Sequence, residues 1–410
     1  MNEHIVIVGS GQAACQAAAS LVEGGWTGGI TLIGREAGLP YSRPPLSKDY
    51  LAGATDLEAL SLRSAEFFSG AVRLMHDEVV EIRPDSKAVR TRGGETIEYS
   101  SLILATGAVS RDLALTPAGT DGVFSLRSAE DACRLRVALA AARSVVIVGA
   151  GFIGLEFAAI ARAKGCHVTV FEAAPGAMGR AVSSEMSAYM AARHREDGID
   201  LRFEEVVSHI EILNDRVVAV STSHGERLPA DLLLVAIGVI PSTELAVAAG
   251  IAVDGGIVVD RMLRTSAPDI YAIGDCARFP FGDVGTLVRL ESVQNAVDQA
   301  KAVAAILLGQ DSSYAQLPWF WSHQGKLRLQ IAGLSLGADR SVTLYTRDRP
   351  SVYHFRSGQL IAVESLGAAA EHLAARRVLQ SGADVTPEDV LTPGFDLRKI
   401  ARMLPVPVAG

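Results

Sequence analysis

Two stretches of the chain share one pattern, and this internal duplication constrains the fold more than any other feature. Residues 4–36 read HIVIVGSGQAACQAAASLVEGGWTGGITLIGRE, and residues 144–172 read SVVIVGAGFIGLEFAAIARAKGCHVTVFE. Each has a β-branched apolar run, a glycine turn, an Ala-rich helical stretch and a second apolar run ending in an acid, which predicts a βαβ unit. Because the apolar runs are continuous, we expect each unit to lie in a parallel sheet that is buried on both faces.

Later apolar segments predict further strands and a helix. SLILATGA at residues 101–108 and DLLLVAIGVIP at residues 231–241 predict late strands of the two sheets. IYAIGDCA at residues 270–277 predicts a further strand, and the helical stretch ESVQNAVDQAKAVAAILLG follows it. After Pro318 the pattern changes to alternating, strand-like segments.

These segments predict an α/β protein with two Rossmann-like nucleotide-binding domains and a smaller α+β domain. The first domain is predicted to be discontinuous and to comprise residues 1–108 and 237–315. The second is predicted to span residues 109–236, and the C-terminal domain residues 316–410.

Composition and charge argue against several classes of protein. The formal net charge of −8 argues against nucleic-acid binding, which needs a basic patch. The four cysteines, Cys15, Cys133, Cys166 and Cys276, contain no closely spaced pair, which argues against a dithiol redox centre and against a zinc site. No apolar run reaches the roughly 18 residues of a membrane span, and MNEHIVIVGSG enters a strand without a basic leader. A soluble, cytoplasmic protein without a membrane partner is expected.

The first glycine turn, Gly9-Ser10-Gly11-Gln12-Ala13-Ala14, has the pattern GxGxxA between a strand and a helix. Gly9 allows the tight turn, Gly11 lets the backbone approach a pyrophosphate, and the small Ala14 lets helix and strand pack closely. The helix N-terminus supplies N–H donors to the phosphates, and Glu36 can accept hydrogen bonds from a ribose. The alternative is a turn that only joins strand and helix.

The second turn, Gly149-Ala150-Gly151-Phe152-Ile153-Gly154, has the full GxGxxG pattern. A carboxylate at Glu172 favours the free ribose hydroxyl of NAD and repels the extra phosphate of NADP, so NADH is the expected nucleotide. Glu172 as a solvated loop acid is the alternative, and Arg180 leaves room for NADP. Arg180 and Gly238 complete the predicted NAD contacts.

Two such turns imply two dinucleotides, and the economical assignment is FAD at the first and nicotinamide at the second. Hydride is then expected to pass from the nicotinamide to flavin N5. The turn at Gly274 and Asp275 ends a strand and could place a carboxylate against the flavin's ribityl or pyrophosphate region. A turn aspartate that bonds its own backbone is the alternative.

Several blocks in order carry a resemblance to a known family: LPYSRPPLSKDYL, GFIGLE, TSAPDIYAIGDCA, RLESVQNAVDQA and PWFWSHQGKLRLQIAGL. The chain resembles, over essentially its whole length, the FAD-dependent pyridine nucleotide reductases, specifically the ferredoxin reductases of bacterial aromatic-ring dioxygenase and cytochrome P450 systems. The resemblance implies nucleotide-binding domains of the glutathione-reductase type.

The resemblance also implies roles for individual residues, with Lys48, Glu156 and Trp321 as the catalytic ones. Arg43 and Lys48 match basic residues on the flavin side, and a cation at Lys48 would stabilise negative charge on reduced flavin. Glu156 matches a glutamate that meets the nicotinamide carboxamide, and Trp321 an aromatic that covers the flavin where electrons leave. The further FAD contacts are Val80, Ala105, Thr106, Gly107, Arg127, Gly274, Asp275 and Val293.

Each assignment has a structural alternative. Arg43 and Lys48 could be solvated side chains of a Pro-rich loop. The aromatic run at residues 319–321 could be core, and Glu156 could only favour the helix dipole.

Two residues depart from the family pattern. Arg35 stands where many relatives have an acid, which makes FAD contacts there less certain. His323 replaces the usual aspartate of the WSDQ block with a titratable group, which could alter acceptor choice or pH dependence, or could be a neutral change.

The predicted function is electron transfer from NADH through FAD to a [2Fe–2S] ferredoxin that serves an oxygenase. The missing cysteine pair favours one-electron release, since disulfide reductases of similar fold relay electrons through a dithiol. The alternatives are an NADH oxidase, a rubredoxin reductase and, in another class, an NADH-sensing interaction module. A monomer and a homodimer are both compatible with the sequence. The candidate basic docking residues are Arg289, Lys326, Arg328, Arg398 and Lys399.

Overall fold

A computed structural model describes residues 3–115, 117, 119–282 and 285–405. The chain forms two compact units. Unit 1 comprises Met1–Arg43, Thr55–Val109 and Val239–Gln316, and unit 2 comprises Pro44–Ala54, Ser110–Gly238 and Leu317–Gly410. Residues 406–410 of the predicted C-terminal domain lie outside the described residues.

The regular elements of the described residues are as follows. The strands are β1 (His4–Val8), β2 (Gly29–Gly34), β3 (Arg73–His76), β4 (Val79–Arg83), β5 (Ala88–Thr91), β6 (Thr96–Glu98), β7 (Ser101–Leu104), β8 (Ala108–Ser110), β9 (Val123–Phe124), β10 (Ser144–Val148), β11 (His167–Glu172), β12 (Asp200–Phe203), β13 (Val207–Leu213), β14 (Arg216–Thr222), β15 (Arg227–Pro229), β16 (Leu232–Val235), β17 (Val239–Pro241), β18 (Ile257–Val258), β19 (Ile270–Ala272), β20 (Ala277–Phe281), β21 (Thr286–Val288), β22 (Trp319–Gln324), β23 (Leu327–Gly333), β24 (Arg340–Thr346), β25 (Arg349–Arg356) and β26 (Gln359–Leu366). The α-helices are α1 (Gln12–Glu23), α2 (Asp49–Ala52), α3 (Ala65–Gly70), α4 (Ala129–Ala141), α5 (Phe152–Ala163), α6 (Ser184–Glu196), α7 (Glu244–Ala248), α8 (Val293–Leu307), α9 (Ala369–Ser381), α10 (Pro387–Leu391) and α11 (Leu397–Met403).

Unit 1 is built around a parallel sheet in the order β19-β7-β1-β2-β3. Ile7 of β1 lies opposite Leu32 of β2 on one side and Ile103 of β7 on the other, and all three are fully buried. The Ala-rich α1 packs against α8, because small side chains let two helices approach closely. The strands β4, β5 and β6 form a separate antiparallel sheet.

Unit 2 contains a second parallel sheet, in the order β12-β11-β10-β16-β9. Ile147 of β10 lies between Val170 of β11 and Leu234 of β16. Both predicted βαβ units, β1-α1-β2 and β10-α5-β11, are therefore confirmed, with parallel registers and buried strands.

The C-terminal part of unit 2 is an antiparallel sheet in the order β22-β23-β26-β25-β24, with α9 packed on β23 and β26. Its core is apolar and includes Tyr353, Phe355 and Val363. The predicted α/β class with a smaller C-terminal α+β part is confirmed.

Some sequence boundaries differ from those that the periodicity suggested. The apolar run at residues 231–241 is divided into β16 and β17, because the chain turns at Gly238 with φ +96°. Strand β2 ends at Gly34, so the acid predicted to end it, Glu36, follows the strand. The segment Pro44–Ala54 packs with unit 2, whereas the predicted domain division includes it in the first domain. No helix of the described residues is long and apolar enough to cross a membrane.

Candidate nucleotide and redox site

The first glycine turn of unit 1 is shaped by two steric requirements. Gly9 has φ +120°, and an added Cβ would lie 2.2 Å from the Ala105 carbonyl oxygen, so a side chain is excluded there. Gly11 precedes α1, and an added Cβ would meet no described atom within 4 Å. No described side chain caps α1, and its first turn has no acid. Open space before an uncapped helix N-terminus fits a pyrophosphate, while the buried Ala13 and Ala14 pack the helix onto the sheet.

A charged cluster follows β2 in the same unit. The Glu36 carboxylate accepts hydrogen bonds from the Tyr41 hydroxyl and from the Arg43 guanidinium, which also lies over the Tyr41 ring. Burial opposes ionisation of Glu36, but Arg43, Tyr41 and the exposed Arg35 outweigh it and lower the pKa of this carboxyl. The Arg43 side chain is only 27% exposed, so it is not a freely solvated loop residue.

Two further turns lie at the ends of β7 and β19. The Thr106 hydroxyl donates to the Ser242 carbonyl at 2.6 Å, and Gly107 has φ +68°. Gly274 has φ +77°, and its N–H donates to the side chain of Gln299 at 2.7 Å. Asp275 follows it and is half-buried. Val80 in β4 and Val293 at the start of α8 are half-buried, and the Ala105 N–H donates to the Val8 carbonyl at 2.8 Å.

The second glycine turn, in unit 2, has the same steric design. Gly149 has φ +106°, and a Cβ would lie 2.4 Å from the Ala236 carbonyl oxygen. At Gly154 a Cβ would lie 2.1 Å from the Gly149 carbonyl oxygen, so the helix must pack closely here. Gly151 faces open space, and no described side chain caps α5. This turn therefore fits a second pyrophosphate.

Glu172 ends β11 beside this turn. Its carboxylate accepts the N–H groups of Ala150 and Ala174, each at 2.9 Å. Arg180 is exposed, and its Nη2 lies 3.3 Å from where a Cβ on Gly238 would be. Glu172 is thus held by backbone donors and is not a freely solvated loop acid.

Lys48 and Glu156, two of the three predicted catalytic residues, form an ion pair within unit 2 in which the carboxylate is buried and the lysine half-buried. Lys48 Nζ lies 2.8 Å from Glu156 Oε2, and the two side chains are 16% and 2% exposed. The Ser47 hydroxyl also donates to Oε2, and the Ser322 hydroxyl donates to Oε1 at 2.7 Å. A carboxylate that accepts from three donors is held in one orientation. Neither Lys48 nor Glu156 is a solvated surface group.

Behind this pair lie polar residues that no sequence motif predicted. Gln324 Nε2 donates to the Ser322 hydroxyl at 3.1 Å, and Gln324 Oε1 lies 2.7 Å from His194 Nε2. Ser322, Gln324 and His194 are buried. Polar residues at alternating positions of a strand share one face, so Ser322 and Gln324 in the WFWSHQ block carried a signal for a buried polar face.

The aromatic run in β22 is half-buried. Trp321 stacks on Trp319 with ring centres 5.4 Å apart, and Arg376 lies 4.2 Å from the centre of the Trp319 ring. Phe320 contacts Phe152 of α5, with ring centres 4.5 Å apart. The role of Trp321 as a cover of the flavin stays a prediction.

Other predicted residues are placed as follows. Arg127 is half-buried, and its N–H donates to Asp131 at 3.0 Å, next to the capping box of α4. His323 lies between Ser322 and Gln324 in β22 and is half-buried. Burial, together with the nearby charges of Arg328 and Lys48, lowers the pKa of His323. Ile153 is exposed at the start of α5.

The candidate docking residues differ in their surroundings. Lys326, Arg328 and Lys399 are exposed. Arg398 pairs with Asp396 at 2.8 Å, and Arg289 pairs with Glu291 at 2.7 Å.

The four cysteines are free thiols. Burial raises the pKa of Cys15 to about 11, even though Arg63 opposes the shift, and burial also raises the pKa of Cys166 and Cys276. A thiol with a raised pKa is a poor nucleophile at neutral pH. No group of three or more His, Cys, Asp or Glu side chains in the described part of the chain could hold a metal ion.

Two Rossmann turns that each fit a pyrophosphate define a class of protein that binds two dinucleotides. Comparison with known proteins specifies this class. The pyridine nucleotide-disulphide oxidoreductase model matches residues 3–300, and the reductase C-terminal model matches residues 319–401. The chain belongs to the pyridine nucleotide-disulphide oxidoreductase family.

Named relatives and solved structures match over nearly the full length. Rhodocoxin reductase of Rhodococcus erythropolis is 46% identical over 398 residues, which cover 96% of this chain and 93% of the relative. The crystal structure of the ferredoxin reductase for the CYP199A2 system from Rhodopseudomonas palustris is 43% identical, with a TM-score of 0.94 and coverage of 98% and 100%. The covalent putidaredoxin reductase–putidaredoxin complex is 36% identical, with a TM-score of 0.94 and coverage of 98% of each chain.

These matches confirm the predicted family, fold class and oxidoreductase activity. The family is FAD-dependent and uses NAD(P)H, which confirms FAD and a nicotinamide nucleotide as the cofactors. The cofactors would supply the redox chemistry, and the residues above would bind and orient them.

Proposed function

We propose that the chain transfers electrons from NADH, through FAD, to a [2Fe–2S] ferredoxin that serves an oxygenase, a Rieske dioxygenase or a cytochrome P450. The observation that carries the proposal is the pair of glycine turns, each with open space at its second glycine, Gly11 and Gly151. The matched reductases named for rhodocoxin and for a CYP199A2 system support the choice of acceptor and of oxygenase.

Residues 1–108 and 237–315 are assigned to FAD, residues 109–236 to NADH, and residues 316–410 to the C-terminal domain. Gly9 and Gly11 face the FAD pyrophosphate. Glu36 accepts hydrogen bonds from the ribose hydroxyls, and the Arg43 guanidinium holds the Glu36 carboxylate in place. The other proposed FAD contacts are Ala13, Ala14, Lys48, Val80, Ala105, Thr106, Gly107, Arg127, Gly274, Asp275, Val293 and Trp321.

The NADH site is assigned to the turn at Gly149. Glu172, fixed by two backbone N–H groups, faces the adenosine ribose and disfavours the phosphate of NADPH. Glu156 meets the nicotinamide carboxamide. The other proposed NADH contacts are Gly151, Phe152, Ile153, Gly154, Arg180 and Gly238.

FAD, once bound, would supply hydride acceptance from NADH and one-electron release, so that overall NADH and two oxidised ferredoxins would give NAD⁺, two reduced ferredoxins and one proton. The chain's own residues bind and orient the two nucleotides and neutralise charge beside them. The Lys48 ammonium offsets negative charge near it, and the Glu156 carboxylate, fixed by its donors, accepts from the carboxamide N–H groups. The free, high-pKa thiols of Cys15 and Cys276 take no part.

The acceptor docks on exposed basic residues of the C-terminal domain, with Lys326 and Arg328 as the principal pair. The reaction is assigned to the cytoplasm, where the four free cysteines would remain reduced. Replacing Lys326 by Glu should raise the KM for ferredoxin several-fold at low salt, and less at high salt because salt screens exposed charges. Lys164→Glu, an equal charge change at an exposed residue of α5's C-terminal end, serves as the control.

The test of the whole proposal is reduction of a [2Fe–2S] ferredoxin by the FAD-loaded protein under anaerobic conditions, with NADH and NADPH compared. Saturable reduction that prefers NADH is expected. Rapid oxygen consumption without ferredoxin reduction would establish an NADH oxidase instead, and faster reduction of rubredoxin a rubredoxin reductase. A protein that binds NADH and reduces no acceptor would be a sensing module.

A further inference from the structure

The Glu156 carboxylate is oriented by donors from two different parts of unit 2. Lys48 and Ser47 bind Oε2, and Ser322 alone among the described residues donates to Oε1, at 2.7 Å. The side chain is only 2% exposed, so water cannot readily replace a lost donor. The direction in which the Oε1 edge points therefore depends on Ser322.

The hydrogen bonds behind Ser322 run in one direction. His194 is 1% exposed, and its Nδ1 has no hydrogen-bond partner within the described ranges. Gln324 Oε1 can only accept, so its contact with His194 places a proton on Nε2 of the ring, and burial lowers the pKa of His194. His194 thus donates to Gln324, Gln324 to Ser322, and Ser322 to Glu156.

Gln324 also reaches the loop beside the second glycine turn. Its Nε2 lies 3.2 Å from Met178 Sδ, which is a weak acceptor. Met178 is held with φ +53°, and its N–H donates to the Ala150 carbonyl at 3.0 Å. The Gln324 amide therefore contacts both the loop that leads to Arg180 and the Ser322 hydroxyl, which orients Glu156.

We propose that Ser322, Gln324 and His194 are positioning residues that fix Glu156 for the nicotinamide nucleotide and hold it in register with the loop at Met178. The inference rests on the proposed NADH site, because it takes Glu156 as the group that meets the nicotinamide. None of these three residues touches the reacting atoms. Their effect is exerted through Glu156.

The experiment compares Ser322→Ala with the matched variant Ser365→Ala in the FAD-loaded protein. Ser365 is a fully buried serine of β26 whose Oγ has no hydrogen-bond partner among the described residues, so its removal alters no hydrogen bond. The first readout is the dissociation constant of NAD⁺ by calorimetry. The second is the limiting rate of flavin bleaching by NADH in anaerobic stopped flow.

Ser322→Ala should weaken NAD⁺ binding and slow flavin bleaching. The product of the two fold-changes should be roughly tenfold or more, which is the usual cost of losing a hydrogen bond to a charged group. Ser322→Thr keeps the hydroxyl and should restore both values to near wild type. Ser365→Ala should leave both unchanged. A Ser322→Ala protein that matches Ser365→Ala in both readouts overturns the proposal.

Gln324→Met keeps the shape of the side chain and removes the amide. Both readouts should change in the same direction as in Ser322→Ala, to a smaller extent, because Ser322 keeps its hydroxyl but loses the group that orients it. Unchanged values would overturn the roles of Gln324 and His194.

Neither readout uses ferredoxin, so the two proposals fail separately. A wild-type protein that binds NAD⁺ and is bleached by NADH, but reduces no ferredoxin, overturns only the proposed acceptor. A wild-type protein that binds no NAD⁺ overturns the positioning role as well.

Discussion

The Lys48 ammonium lies 2.8 Å from the Glu156 carboxylate, and both side chains are largely withdrawn from water. Lys48 comes from the short segment Pro44–Ala54, and Glu156 from the first turns of α5. A buried pair of this kind is most costly when only one partner is removed, because the other charge then stays buried without compensation.

Replacing Lys48 by Met should therefore lower the free energy of unfolding by about 3 kcal/mol. The double variant Lys48→Met, Glu156→Gln should recover part of this loss, since no uncompensated charge remains. Urea unfolding of the FAD-loaded protein measures the difference, with the exposed Lys326→Met as the control. Equal stability of Lys48→Met and wild type would contradict a buried ion pair.

The two glycines of the second turn should respond differently to alanine. Gly149→Ala places a Cβ 2.4 Å from the Ala236 carbonyl oxygen at φ +106°, so we expect the variant to be strongly destabilised. Gly151→Ala adds a Cβ in open space at an extended φ of −79°, so the protein should fold normally and lose at least about tenfold in NADH affinity. Thermal unfolding and NADH titration distinguish the two effects. Normal NADH binding by Gly151→Ala would argue against a pyrophosphate at this turn.

The charge of Glu172 should set the choice of nucleotide. Glu172→Gln removes the charge and keeps an oxygen that can accept from Ala150 or Ala174. The ratio of kcat/KM for NADH to that for NADPH should fall by roughly tenfold, since the repulsion of the extra phosphate is lost. Arg180→Ala is the opposing variant, and it should weaken NADPH use more than NADH use, because the extra phosphate of NADPH loses the attraction of the guanidinium. A ratio that Glu172→Gln leaves unchanged would mean that the carboxylate does not face the ribose.

His372 should make the protein less stable in mild acid. Burial, with a smaller effect of Arg376, lowers the pKa of His372 to about 4, and neither ring nitrogen has a hydrogen-bond partner in the described part of the chain. Because the folded-state pKa lies below the unfolded value, the unfolded chain binds the extra proton, and stability falls as the pH decreases from 6.5 towards 4.

His372→Leu removes this proton uptake. The variant should gain stability relative to wild type as the pH falls, with a limiting slope of about 1.4 kcal/mol per pH unit. Denaturant unfolding at pH 7, 6 and 5 measures the difference, and the exposed His209→Gln is the control. A difference between His372→Leu and wild type that is constant with pH would show that His372 does not take up a proton on unfolding.

The sequence by itself determined the two βαβ units and their glycine turns. A continuous apolar run, a turn that only glycine can adopt at Gly9 or Gly149, and an Ala-rich helix are local signals, because each depends on backbone geometry and on burial over a few residues. The sequence blocks that resemble the reductase family also predicted the cofactors, FAD and NADH. They also selected Lys48 and Glu156, which the structure brings together.

Only the tertiary structure decided what surrounds Glu156. Its donors Ser47 and Ser322 lie 109 and 166 positions away along the chain, and His194 reaches it only through Gln324. No periodicity specifies such partners, because they are set by the packing of β22 against α5 and of Pro44–Ser47 against the same helix. The burial of a carboxylate then selects the nearest donors, since an unpaired charge in that place would cost more than the contacts provide.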